Sequence, residues 1–121
     1  MQVSKKQVNP NLKKQIYQLL YQVLADIRSK KEAEIFLNEV LTETELEMLA
    51  KRLGVAYYLD KGRSYSNIKD NLKLSSATIS GVAEQMKKGK GFEIALSKIR
   101  AEEWANEWAK KISKRFQGGK K

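Results

Sequence analysis

The chain has no cysteine, no histidine and a single proline among 121 residues. Without cysteine there are no disulfides and no thiolate metal ligands, which fits a reducing compartment. With histidine missing as well, the usual zinc sites, a Ser-His-Asp triad and a Cys-His pair cannot be built. Carboxylates and lysines remain, but they form no constellation that matches an active site, and an enzyme is not expected. No stretch alternates apolar and polar residues for long enough to make a strand. No run of 18 apolar residues could cross a membrane, and no signal peptide is seen, so a soluble, cytoplasmic protein is expected. Metal ions and membranes are not expected partners.

What the chain does have is helix formers and positive charge. Ala, Leu, Glu, Lys, Gln and Arg dominate, which predicts an all-α protein. The net charge is +10, unevenly spread: +5 over residues 1–30, −4 over 31–60, +5 over 61–90 and +4 over 91–121. The basic excess returns at residue 61, as a polyanion-binding surface requires. The acids of 31–60 have a simpler use, at helix N-termini and on solvated faces.

Local signals divide the chain into one helical domain over 9–116, a loose arm over 1–8 and a disordered tail over 117–121. Asn9-Pro10 opens the first helix as N-cap and first helical residue. Leu12, Ile16, Leu19, Leu20, Val23, Leu24 and Ile27 give it an apolar face that must be buried, against the chain or a second copy. Ser29 with Glu32, and Thr42 with Glu45, are capping boxes that start two more helices. The third carries Leu46, Leu49, Ala50, Leu53, Ala56 and Tyr57 and ends at Gly62, where a left-handed cap favours glycine. Lys87 to Gly91 reads as a basic joint. An amphipathic helix of up to about 24 residues, roughly 36 Å long, follows from Phe92 to Phe116. Its Trp104 and Trp108 are expected to be packing anchors.

The stretch Ser64–Met86 organises the rest. Ile68 and Leu72 share a face of one short helix, Leu74 plugs a turn, and Ile79 and Val82 face back from a second helix. That is the core spacing of a helix-turn-helix, whose second helix enters the DNA major groove. Ser64 caps the first helix and Ser75 the second. Ser75, Ser76, Ala77, Thr78 and Ser80 then stand at the leading end, small enough to approach base edges. Lys69, Lys73, Lys87 and Lys88 are placed to meet phosphates, which position a protein without specifying sequence.

From Leu41 to Met86 the runs LTETELEMLAKRL and NIKDNLKLSSATIS, with a helix ending at Lys61-Gly62 between them, resemble the Trp repressor family. The resemblance implies an intertwined helical homodimer that presents one helix-turn-helix per protomer to double-stranded DNA. It places Lys69, Ser76, Ala77, Thr78, Ser80 and Lys87 on the family's DNA contacts. It also implies a ligand pocket, with Thr42 and Arg52 on the positions of a threonine and an arginine that hold tryptophan. The second pocket arginine falls on Gly81, and the position that meets the ligand's amino group falls on Gln85. Half of the tryptophan pocket is therefore missing, and no cofactor is expected; an effector of other chemistry is left open. Arg52 has an alternative use in a structural ion pair. The loop before the helix-turn-helix is one residue shorter than in the family, and Lys73 stands where many such turns have glycine. The function expected is a sequence-specific transcriptional regulator, a repressor. The alternative is a helical module that uses the same scaffold to bind protein.

Overall fold

The protein is described from a computed structural model over residues 6–118. Six helices follow one another: α1 (Pro10–Asp26), α2 (Lys30–Val40), α3 (Glu43–Asp60), α4 (Tyr65–Leu72), α5 (Ser76–Lys88) and α6 (Gly91–Gly118). No strand occurs among the described residues. They divide into two compact units, with the boundary between Met48 and Leu49, inside α3.

In the first unit each helix starts where a side chain can satisfy free backbone N–H groups. The Asn9 carboxamide oxygen accepts from the Asn11 and Leu12 amides, with Pro10 in the first turn. Ser29 Oγ accepts from the Glu32 amide, while the Glu32 carboxylate reaches the Arg28 amide and not that of Ser29. At α3 the box is complete: Thr42 Oγ1 accepts from the Glu45 amide at 3.1 Å and Glu45 accepts from the Thr42 amide at 2.8 Å. Those bonds hold the Glu45 carboxyl below its ordinary pKa. Neither α1 nor α2 contains a buried residue. Leu12, Ile16, Leu19, Leu20, Val23 and Leu24, the face expected to be covered, are all exposed in the single chain.

The second unit holds the core. Val55, Ala56, Ile68, Ile79, Val82 and Leu96 are buried together, with Leu72, Leu74, Met86, Phe92 and Ile99 packed around them. The face α3 buries follows the expected stripe at Ala56 and Tyr57 and departs from it elsewhere. Val55 and Ala56 are fully buried, whereas Leu49 and Leu53 remain exposed. Helical periodicity shows that a face is apolar and does not say what will cover it. The end of α3 follows expectation. Gly62 is left-handed at φ 82°, its amide bonds the Leu59 carbonyl, and the Arg63 amide bonds that of Tyr58. This is the paired bonding of a Schellman cap.

Ion pairs fasten α6 to the end of α3. Arg100 forks onto Asp60 at 2.6 and 3.1 Å and also reaches Glu93 at 2.9 Å. Glu103 accepts from the Tyr57 hydroxyl at 2.9 Å and from Lys61 at 3.0 Å. These bonds lower the pKa of Asp60 and Glu103, and the Glu103 carboxylate raises those of Tyr57 and Lys61.

Two boundaries depart from the sequence reading. Lys87 and Lys88 belong to α5, so the joint is only Gly89 and Lys90. Helix α6 has 28 residues and takes in Gln117 and Gly118, the start of the expected tail. The last three residues, like residues 1–5 of the expected arm, lie outside the described residues.

Candidate nucleic-acid interface

The pair α4 and α5 is built around Ile68, Ile79 and Val82, which are buried where the two helices meet. Ser64 Oγ caps α4 by accepting from the Asn67 amide at 3.1 Å. The turn is made by Lys73, in the left-handed conformation at φ 55°, ψ 54°. It is the one non-glycine residue with positive φ among the described residues. The Lys69 carbonyl accepts from both the Lys73 and Leu74 amides, at 3.0 and 3.4 Å, which closes α4 sharply. Leu74 then turns inward onto the core, as the spacing requires.

Ser75 caps α5, and its hydroxyl bonds twice to Thr78: it accepts from the Thr78 amide at 3.1 Å and lies 2.9 Å from Thr78 Oγ1. The Thr78 hydroxyl is therefore engaged in the cap and half-buried. Ser76, Ala77, Ser80 and Gly81 are exposed in the first two turns of α5. Lys69 and Lys73 are exposed on α4 and in the turn, and Lys87 and Lys88 are exposed in the last turn of α5, at its far end. Lys88 lies 3.6 Å from Glu84, one turn back on the same helix. That acid was missed in the sequence reading, although its four-residue spacing from Lys88 is a visible signal.

Behind the leading end of α5 is a cavity of about 440 Å³, lined by Arg52, Ala77, Thr78, Gly81, Val82, Gln85 and Phe92. It brings together Arg52, Gly81 and Gln85, three of the four residues read as a ligand pocket. Arg52 forms no ion pair with any described residue, so the structural use weighed for it is not realised. A Cβ built at Gly81 meets nothing within 4 Å, so the cavity is open on that side. Thr42, the fourth residue, lies in the first unit with its hydroxyl in the α3 cap. No cluster of acids able to hold a metal occurs among the described residues. No helix among them is long and apolar enough to cross a membrane.

The family model for the Trp repressor protein matches residues 15–100, which contain both the helix pair and the cavity. The chain belongs to the Trp repressor family. That family is one of regulators and not of enzymes. A Bacillus subtilis (strain 168) relative, described as uncharacterized protein YerC, is 32% identical over 91 residues, covering 74% of this chain and 86% of its own. A solved TrpR-like protein from Eubacterium eligens ATCC 27750 is similar in fold, with a TM-score of 0.67 at 30% identity. The similarity covers 75% of this chain and 95% of that one. The all-α, Trp repressor-like architecture expected from the sequence is thus borne out.

Proposed function

We propose that the protein is a sequence-specific, double-stranded DNA-binding transcriptional regulator, a repressor acting as a cytoplasmic homodimer. In this reading α4 and α5 form a helix-turn-helix. The observation that carries it is the leading end of α5. There Ser76, Ala77 and Ser80 are exposed, with Lys69 and Lys73 exposed on α4 and the turn before them and Lys87 exposed in the last turn of α5, on a seam of buried Ile68, Ile79 and Val82. Short side chains let the helix approach base edges, and the lysines neutralise phosphates on either side. Ser75 supports this site as a cap, Thr78 completes that cap, and Lys88 contributes a charge shared with Glu84.

Dimerisation is supported by α1, whose apolar face has nothing to cover it in one chain. A second copy supplies that cover. A two-fold dimer presents its two reading helices about 34 Å apart, so operator half-sites repeat at one helical turn. The cavity over Arg52 and Gln85 is read as an effector site without a tryptophan clamp, because Gly81 offers no side chain to stack on an indole.

Selection of bound sites from random duplex DNA tests binding, specificity and half-site spacing together. Anisotropy titrations should show affinity falling steeply with salt through counterion release. Lys69→Ala should weaken binding to all sequences alike, whereas Ser80→Ala should shift preference among operators. No affinity at low salt would overturn the proposal.

A further inference from the structure

Helix α6 runs on past the elements that cover it. Phe92, Leu96, Ile99, Glu103, Glu107, Lys110 and Lys114 follow at threes and fours, so they share one side of the helix. Phe92, Leu96 and Ile99 turn that side to the core. Glu103 is held by Tyr57 and Lys61 at the end of α3. Past Glu103, residues 104–115 are all exposed, and none hydrogen-bonds or ion-pairs with another element among the described residues. Lys110 and Lys114 therefore continue the covered side of α6 beyond the point where its cover stops. The family match ends at residue 100, so this extension lies outside it.

Cations crowd this outer end. Lys110, Lys111, Lys114 and Arg115 pair with no acid among the described residues. From residue 108 to residue 121 the chain carries six cations and no acid. Lys110 with Lys114, and Lys111 with Arg115, are like charges one turn apart, which weaken a helix left to itself. The helix dipole favours cations within the last turn, where Arg115 lies; it does not account for the three lysines. A polyanion relieves the conflict by neutralising them. The side is open to one. At 100° per residue, Lys110 and Lys114 lie roughly 120–160° around the helix from Trp108 and Ile112, the exposed apolar residues of this segment. A partner covering those apolar side chains leaves the two lysines exposed. Lys110 to Arg115 stand about 28–36 Å along α6 from its start, whereas α5 is about 20 Å long. They reach past the backbone on which α5 can lie. We infer that the outer end of α6 is a phosphate-binding strip for duplex DNA outside the two half-sites, made by Lys110 and Lys114 with Lys111 and Arg115 beside them. The inference rests on the DNA-binding reading above, because a duplex already held by α5 presents its flanking phosphates at high local concentration. These contacts add affinity without sequence preference.

Two duplexes test this in the full chain. One is the selected operator trimmed to its half-sites; the other carries about ten further base pairs, one helical turn, on each side. Anisotropy titrations over a salt series should show the unaltered chain binding the flanked duplex more tightly. Each phosphate neutralised steepens the salt dependence by about 0.9, so the two lysines of each protomer in a homodimer should steepen it by about two to four. In Lys110→Gln/Lys114→Gln that gain should vanish, while affinity for the trimmed duplex and helical circular dichroism stay unchanged. Lys110→Arg/Lys114→Arg should restore it. A trimmed duplex bound with no gain from flanks overturns the inference and leaves the DNA-binding reading standing. So does a gain that survives in the glutamine variant, or a loss in that variant that is equal on both duplexes. Binding of neither duplex overturns both. A chain without flank gain that binds vesicles of equimolar phosphatidylcholine and phosphatidylserine through these lysines would name a membrane as the partner, and would also overturn the inference.

Discussion

Replacing Lys73 by glycine should make the protein more stable. At φ 55°, ψ 54° Lys73 holds a left-handed conformation that brings Cβ against its own carbonyl, a clash worth about 1–2 kcal/mol. Glycine has no Cβ and relieves it. Glycine also gives the unfolded chain more freedom, which offsets about 0.4–1 kcal/mol. The balance is a gain of about 0.5–1 kcal/mol, or roughly 2–6 °C in Tm for a domain of this size. Lys73→Ala is the necessary control, because it removes the charge and keeps the clash. Thermal unfolding followed by circular dichroism, at one fixed protein concentration, should place the glycine variant above both the alanine variant and the unaltered chain. If Lys73→Gly is no more stable than Lys73→Ala, the reasoning from backbone strain is wrong. The two variants should nevertheless weaken DNA binding equally, each lowering the salt slope by about one. Stability and affinity would then move in opposite directions in one variant, which separates the turn's conformation from its charge.

The Asp60 and Glu103 carboxyls have depressed pKa values when folded, so their contribution is complete at neutral pH and lost as pH falls below about 4. Urea midpoints measured from pH 7 to 3 should fall accordingly, and Asp60→Asn should flatten the fall. Gly81→Ala should add about 0.5–1 kcal/mol by removing a glycine from a helix interior where a Cβ meets no neighbour; chemical denaturation reads this directly. Ile79→Ala, at a fully buried position between α4 and α5, should lose about 2–5 kcal/mol in the same assay. Calorimetry should find no micromolar-range L-tryptophan affinity in the unaltered chain, and Gly81→Arg, for which there is space, should acquire some.

The features legible in the sequence are the local ones. Asn9, Ser29, Thr42, Ser64 and Ser75 announce helix starts because a cap acts within three residues, and Gly62 announces an end for the same reason. The α4–α5 seam was legible because Ile68, Ile79 and Val82 are close in the chain and face one another across a single turn. Contacts that span forty residues carry no such signal. Arg100 meeting Asp60, and Glu103 meeting Tyr57 and Lys61, could not be read from spacing, because many acids and bases were available to pair. The cover of α3 was only partly legible for a related reason: Leu49 and Leu53 fit the apolar period as well as the buried Ala56 does, and Val55 lies off it. At the candidate interface Ser76, Ala77 and Ser80 are exposed in the first turns of α5, where the Ser75 cap sets the start of the helix. The engagement of the Thr78 hydroxyl by Ser75 was overlooked, although a Ser-x-x-Thr spacing is visible in the sequence.

The two-residue joint between α5 and α6 has a mechanical consequence. Gly89 and Lys90 contain only four soft backbone torsions, and the Gly89 amide is already bonded to the Gln85 carbonyl. Helix α6 is itself clamped to the end of α3 through Asp60, Tyr57 and Lys61. Helix α5 therefore hangs from a clamped strut by a very short hinge. A rotation of α6 about its clamp, or a ligand wedged between Arg52 and Gln85, has almost no slack in which to dissipate. It reaches α5 as a change of tilt, and in the proposed dimer that tilt would set whether the two α5 helices fit successive grooves.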